Sequence, residues 1–166
     1  NEKLSALPDA EMSVDLIRIH ADYHLGQVLV TEDDFMIIDF EGEPLLSIPE
    51  RRRRRPALKD VAGMVRSFHY AINAQHLLNP EVYADHDRDE LKSRATAWFN
   101  MVSATYLEAY FATSGDASFL PAATADRQLL LDLFVLEKAV YEVAYELNSR
   151  QDWLAVPLGG VLKVIM

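Results

Sequence analysis

The chain has 166 residues, half of them apolar, no cysteine, and a formal net charge of −10. That length suits one domain spanning 1–166, or one lobe of something larger, with enough apolar mass for a core. The acidic balance excludes a general binder of nucleic acid or anionic membrane, which needs a basic footprint. The absence of cysteine excludes a disulfide framework and a thiolate metal site.

The first ten residues carry no signal-peptide pattern, and residues 1–15 show no strong periodicity. Residues 16–20 (LIRIH) alternate and read as a strand. Two further β-rich runs follow at 27–31 (QVLVT) and 35–40 (FMIIDF), with the turn-forming EDD between them, so a hairpin is expected. Residues 41–56 are irregular, with Pro44, Pro49 and Pro56 and an unbroken arginine run at 51–55. Beyond that the pattern is helical. One helix is expected over 60–78, with Asp60 as N-cap and Val61, Met64, Val65, Phe68, Ala71 and Ile72 as its apolar stripe. A second is expected over 87–113, with Ala95, Trp98, Phe99, Val102, Tyr106 and Tyr110 on one side. TSGDASFLP breaks it, and a third follows over 126–149 with Leu129, Leu130, Leu133, Phe134, Val140 and Ala144 inward. The apolar tail VPLGGVLKVIM is shorter than the ~20 residues a bilayer span requires and is expected to pack on the domain. The fold class is α+β and predominantly helical: a small β-hairpin region followed by a helical bundle.

Chemistry concentrates in the hairpin region. Asp22 and Gln27 stand five residues apart, and Asp39 closes the next hairpin. That order matches the kinase pattern of a loop aspartate, an amide five residues on, and a hairpin aspartate, here with Gln in place of Asn. Phosphoryl transfer needs one carboxylate beside the acceptor hydroxyl and two oxygen ligands for a Mg²⁺ that bridges the phosphates. A rival reading takes His20, Asp22 and His24, with Asp39, as the ligands of a metallohydrolase; no third histidine lies nearby in sequence.

The segments HADYHLGQVL, DFMIIDFEGEP and KAVYEVAYELNSRQDWLAVPLGGVL resemble bacterial maltokinases, including the domain fused to trehalose synthase, within the aminoglycoside-phosphotransferase-like and protein-kinase-like superfamily. The resemblance implies the C-terminal lobe of that fold and, for the parent protein, ATP-dependent phosphorylation of maltose to maltose 1-phosphate in the cytoplasm. It implies Asp22 as the catalytic base, Gln27 and Asp39 as Mg²⁺ ligands, and His20, His24 and Glu41 as supporting residues. It implies ATP as co-substrate and trehalose synthase as a fused or associated partner. Ala21 departs from the glycine expected there; alanine is tolerable if φ is negative. On the third helix, Lys138, Glu142 and Glu146 fall on one line, with Tyr141, Tyr145 and Asn148 on the next and Trp153 beyond. Carboxylates, an amide and aromatic faces suit a sugar, although a charged row is more often a solvated face. With the resemblance, these seven residues are expected to bind the disaccharide.

No G-x-G-x-x-G loop and no strand lysine paired with a helix glutamate are found, and the glycines number six. The expectation is therefore a lobe without its ATP-clamping counterpart, inactive by itself. The alternative is a non-catalytic sugar-binding or trehalose synthase-docking module.

Overall fold

The computed structural model describes residues 12–42 and 46–165. A 3₁₀ turn, Leu25–Gln27, leads into an antiparallel hairpin of β1 (Val28–Val30) and β2 (Phe35–Ile37), in the register Val28↔Ile37, Leu29↔Met36, Val30↔Phe35. The intervening turn is closed by the Thr31 amide donating to the Asp34 carbonyl at 2.8 Å. A short α1 (Ile48–Arg51) is followed by four longer helices: α2 (Leu58–Leu78), α3 (Arg88–Ser114), α4 (Thr124–Ser149) and α5 (Ala155–Ile165). A second 3₁₀ turn, Gln151–Trp153, joins α4 to α5.

The core forms where α2 packs against α3 and α4. Leu58, Val61, Ala62, Leu120 and Leu131 are buried together, ringed by Tyr106, Leu107, Phe111 and Phe134. The α2 stripe read from the sequence faces inward, extended by Leu58 and Ala62. On α3 the aromatic side also faces inward, with Tyr106 edge-on to Phe68 at 5.5 Å, but Trp98 stays exposed. Asp87 caps α3 as a short acceptor at that position should, taking the amides of Asp89 and Glu90.

Three expectations are corrected. Residues 16–20 are not a ladder strand; only a single bridge, Ile17 with Arg55, forms there. Two of the amides that follow it, those of His20 and Ala21, go instead to the Asp60 carboxylate. Asp60 is therefore not the N-cap of α2, whose first residue is Leu58. The inward line of α4 holds in its first half, where Leu130 and Phe134 pack on the core, and is displaced in its second: Leu131, Ala139, Glu142 and Glu146 are buried, whereas Val140 and Ala144 are exposed. The C-terminal run packs on the domain as expected, and it does so as α5, against α4 and α2, despite Pro157, Gly159 and Gly160. Pro157 lies in the first turn, where a missing N–H leaves no intrahelical bond unmade. Residues 1–11, 43–45 (with Pro44) and 166 lie outside the described residues.

The displaced α4 line separates two substitutions. Leu131→Ala should cost about 2–5 kcal/mol, by loss of burial plus the cavity left behind. Val140→Ala, at an exposed position, should stay within about 0.5 kcal/mol. Urea unfolding of the two variants measures the difference.

Candidate active site

One helix organises the loop that carries Asp22. From α2, the Asp60 carboxylate accepts the His20 amide at 2.6 Å and the Ala21 amide at 2.8 Å. Three residues on, Gly63 lies beneath the loop; a Cβ there would stand 2.6 Å from the Tyr23 carbonyl, so only glycine permits that approach. Four residues further, the Ser67 hydroxyl accepts the Leu25 amide at 3.0 Å. Burial pushes the Asp60 carboxyl above its ordinary value, while the two amides pull the other way. Ala21 itself has φ +70°, in the left-handed region. The negative φ under which alanine would be unremarkable does not occur. Its strain, about 1–2 kcal/mol for a residue with a Cβ, is held by the Asp60 grip.

His20 is buried behind this loop. Its Nε2–H donates to the Ile38 carbonyl at 2.7 Å and its Nδ1 accepts the Asp22 amide at 3.4 Å. Both ring nitrogens are thus engaged by backbone, which removes His20 from the metallohydrolase ligand set. Among the described residues no group of three or more His, Cys, Asp or Glu could hold a metal. His24 accepts the Gly26 amide on Nδ1 at 3.1 Å and turns Nε2 toward Asp22 Oδ2, 3.7 Å away. On the other side, Lys138 Nζ approaches Asp22 Oδ1 at 3.4 Å. The facing His24 ring lowers the Asp22 carboxyl below its ordinary value, partial burial opposes it, and the Lys138 charge lowers it again. Asp22 is therefore ionised at neutral pH.

Gln27 and Asp39 meet across the base of the hairpin. The Ile38 amide donates to the Gln27 carbonyl at 3.0 Å, and the Gln27 side-chain Nε2 donates to Asp39 Oδ2 at 2.7 Å. Asp39 adopts φ +65°, a conformation that aspartate tolerates better than most residues. An amide and a carboxylate brought together on an exposed hairpin end fit a Mg²⁺ ion, which takes one or two protein ligands and fills its octahedron with water and phosphate oxygens. The Gln27 amide would turn its oxygen inward to serve. Glu41 lies nearby in sequence and is exposed.

Asp22 opens onto a cavity of about 570 Å³, of a size usual for small-molecule sites. The far wall is the charged face of α4: Lys138, Tyr141, Glu142, Tyr145 and Glu146 all line it. This row is not solvated. Glu142 and Glu146 are 9% and 1% exposed. Two arginines neutralise them, as buried carboxylates require. Arg66 of α2 binds Glu142 Oε2 through Nε at 2.9 Å and Nη2 at 2.6 Å. Arg150 binds Glu146 through Nε at 3.0 Å and Nη2 at 2.7 Å, and the Tyr70 hydroxyl donates to the same carboxylate at 3.2 Å. Burial keeps the Glu142 carboxyl above its ordinary value despite Arg66. It also raises the Tyr70 hydroxyl, helped by the charges of Glu142 and Glu146, so Tyr70 remains a neutral donor.

Seven of the residues singled out in the sequence therefore line one cavity: Asp22, His24, Lys138, Tyr141, Glu142, Tyr145 and Glu146. Two do not. Asn148 donates back to the Ala144 carbonyl of its own helix at 2.7 Å. Trp153 stands outside the lining, stacked on Tyr70 at 6.3 Å and beneath the Arg150 guanidinium at 4.5 Å. Sequence reasoning missed Asp60, Arg66, Ser67, Tyr70 and Arg150. Arg66 carried a signal: it is a charge beside the apolar stripe of α2, which calls for a buried partner. On the other flank of Asp22, Arg51, Arg53 and Arg55 line a cavity of about 220 Å³ with Lys59 and Lys138.

No protein-family model matches the chain. It is similar to the glucosamine kinase of Streptacidiphilus jiangxiensis, 32% identical over 151 residues, covering 90% of this chain and 32% of that protein. It is also similar to the glucosamine kinase of Mycolicibacterium smegmatis, 31% identical over 144 residues, covering 83% and 32%. A solved glucosamine kinase in complex with glucosamine, ADP and inorganic phosphate superposes with a TM-score of 0.73 at 28% identity, covering 90% of this chain and 35% of that one. A second crystal form of glucosamine kinase gives the same TM-score over 92% of the chain. The chain thus spans about a third of the length of the curated relatives it matches. These relatives are sugar kinases, and none of them is a maltokinase or a trehalose synthase. Among the described residues no helix is long and apolar enough to cross a membrane.

Removing the Asp60 grip tests the loop. Asp60→Ala should destabilise the protein by about 2–4 kcal/mol, since two partly buried amides lose their acceptor and Ala21 its restraint. Ala21→Gly in the Asp60→Ala background should recover part of that loss. Thermal unfolding of the two variants measures both.

Proposed function

We propose that this chain is the acceptor-binding and metal-holding part of an ATP-dependent sugar kinase, and that its acceptor is an amino sugar. One observation carries the reading: an ionised aspartate stands at the rim of a cavity whose opposite wall is a neutralised row of carboxylates and tyrosines. Asp22 would take the proton of the acceptor hydroxyl as that oxygen attacks the γ-phosphorus and ADP departs. Lys138, 3.4 Å from Asp22, would sit beside the charge developing on the transferred group. Gln27 and Asp39 would hold Mg²⁺, which neutralises phosphate oxygens and aligns the nucleotide. His20, His24 and Glu41 keep a supporting role in this reading.

The amino sugar follows from charge. Both Arg66 bonds fall on Glu142 Oε2, leaving Oε1 for a ligand in the cavity wall. A buried carboxylate with one oxygen to offer favours an ammonium over a hydroxyl. The glucosamine named in a matched structure has this chemistry. Maltose, which the sequence resemblance implies, is the competing acceptor; Tyr70, Tyr141 and Tyr145 offer it aromatic surface.

ATP would be gripped by a further lobe. The hairpin supports this, for Val30, Phe35 and Met36 are 79%, 67% and 54% exposed, and an isolated two-stranded hairpin is marginal in water.

The test is an acceptor panel of glucosamine, glucose and maltose with ATP and Mg²⁺, using the full-length protein. Glucosamine should give the highest kcat/KM, and Asp22→Asn should lower turnover about 10²–10⁴-fold without unfolding the protein. A preference for maltose would return the reading to a maltokinase. Near-normal turnover in Asp22→Asn would remove Asp22 from the chemistry. Asp39→Asn should raise the Mg²⁺ concentration needed for half-maximal rate, with little change in acceptor KM.

A further inference from the structure

No residue of α5 is among those lining the acceptor cavity, yet one of its positions lies against Arg66, which bonds Glu142 of the cavity wall. Gly160 is buried against α2. A Cβ there would collide with Arg66 Nη1 and lie 2.7 Å from its Cζ and 2.9 Å from its Nη2. The Arg66 side chain is 4% exposed, and both of its bonds to Glu142 depend on where the guanidinium rests. An arginine tip is flexible enough to move aside, so the collision would be relieved by releasing Glu142 and not by unfolding the helix. The adjacent Gly159 has nothing within 4 Å of the corresponding point. One glycine of the pair is open; the other is filled by the guanidinium.

We propose that Gly160 is a positioning residue of the acceptor site: its missing side chain is the space in which Arg66 lies while it holds the Glu142 carboxylate in the cavity wall. This makes the C-terminal helix a determinant of acceptor affinity from behind the site. The inference rests on the reading of the cavity as an acceptor site, and its structural half can be tested without that reading.

In the full-length protein, Gly160→Ala should raise the KM for the amino sugar tenfold or more and leave the KM for ATP within twofold. Gly159→Ala should leave both within twofold. If the effect passes through Arg66, adding Gly160→Ala to an Arg66→Lys background should change acceptor KM less than twofold further. An acceptor KM within twofold of wild type in Gly160→Ala overturns the proposal, as does an equal loss in the Arg66→Lys background. Should Gly160→Ala fail to fold, folding of the Gly160→Ala/Arg66→Lys double variant supports it and failure of both overturns it. The Arg66 Nε–H resonance in ¹⁵N-arginine-labelled protein gives a readout independent of activity. Its loss or large shift in Gly160→Ala, with retention in Gly159→Ala, supports the proposal even if the wild-type protein phosphorylates no sugar. An unchanged resonance in both variants overturns it.

Discussion

The Asp60 carboxylate, in the first turn of α2, takes the amides of His20 and Ala21, and the geometry of everything around Asp22 depends on that grip. Positions 60, 63 and 67 fall on one face of α2 by helical period. That face carries the loop: carboxylate to two amides, glycine beneath a carbonyl, hydroxyl to a third amide. Positions 66 and 70 fall on the next face and reach across to Glu142 and Glu146. Leu58, Val61 and Ala62 fill the core on the third. One helix thus sets the distance between the loop aspartate and the opposing wall, and it can do so because its core face is packed and rigid.

The wall is a compromise between desolvation and specification. A buried arginine–carboxylate pair such as Arg66–Glu142, and a buried Glu146 held by the more exposed Arg150, are a poor way to gain stability, because desolvation consumes much of the attraction. Glu142 and Glu146 also repel each other across one helical turn. Apolar residues would pack the same space at no such cost. In the proposed sugar-kinase reading, the charged groups give a polar ligand oriented donors and acceptors that need no reorganisation when it binds. The Arg150 guanidinium illustrates the construction, since it is bonded to Glu146 and laid over the Trp153 ring at 4.5 Å.

Much of this was legible in the residues. The spacing of Asp22, Gln27 and Asp39 survives as a loop and a hairpin because local chemistry dictates both: a 3₁₀ turn capped by His24 and a tight turn at Asp34. The long helices follow their apolar periods to within two residues at each end. What the residues alone concealed was set by distant partners. Amphipathic logic puts charges outward and extends the α4 inner line from Leu129, Leu130, Leu133 and Phe134 to Val140 and Ala144; Arg66 and Arg150 overturn that extension by neutralising Glu142 and Glu146 inside. The alternation at 16–20 suggests a ladder, but Asp60, some forty residues away, claims the amides at its end. The Gly159–Gly160 pair and Pro157 look like helix breakers, yet α5 accommodates one in its first turn and another against Arg66.

Ala21 shows the same logic at a single residue. Its positive φ is locally unfavourable, and glycine would adopt it freely. A residue with a Cβ persists there only where the surroundings over-determine the backbone. Two adjacent amides fixed on one carboxylate do so, and they turn the chain sharply enough that Asp22, the next residue, leaves the α2 surface and enters the cavity. The strain at residue 21 and the placement of Asp22 are therefore one feature: relaxing the first would withdraw the second from Lys138 and from the cavity wall.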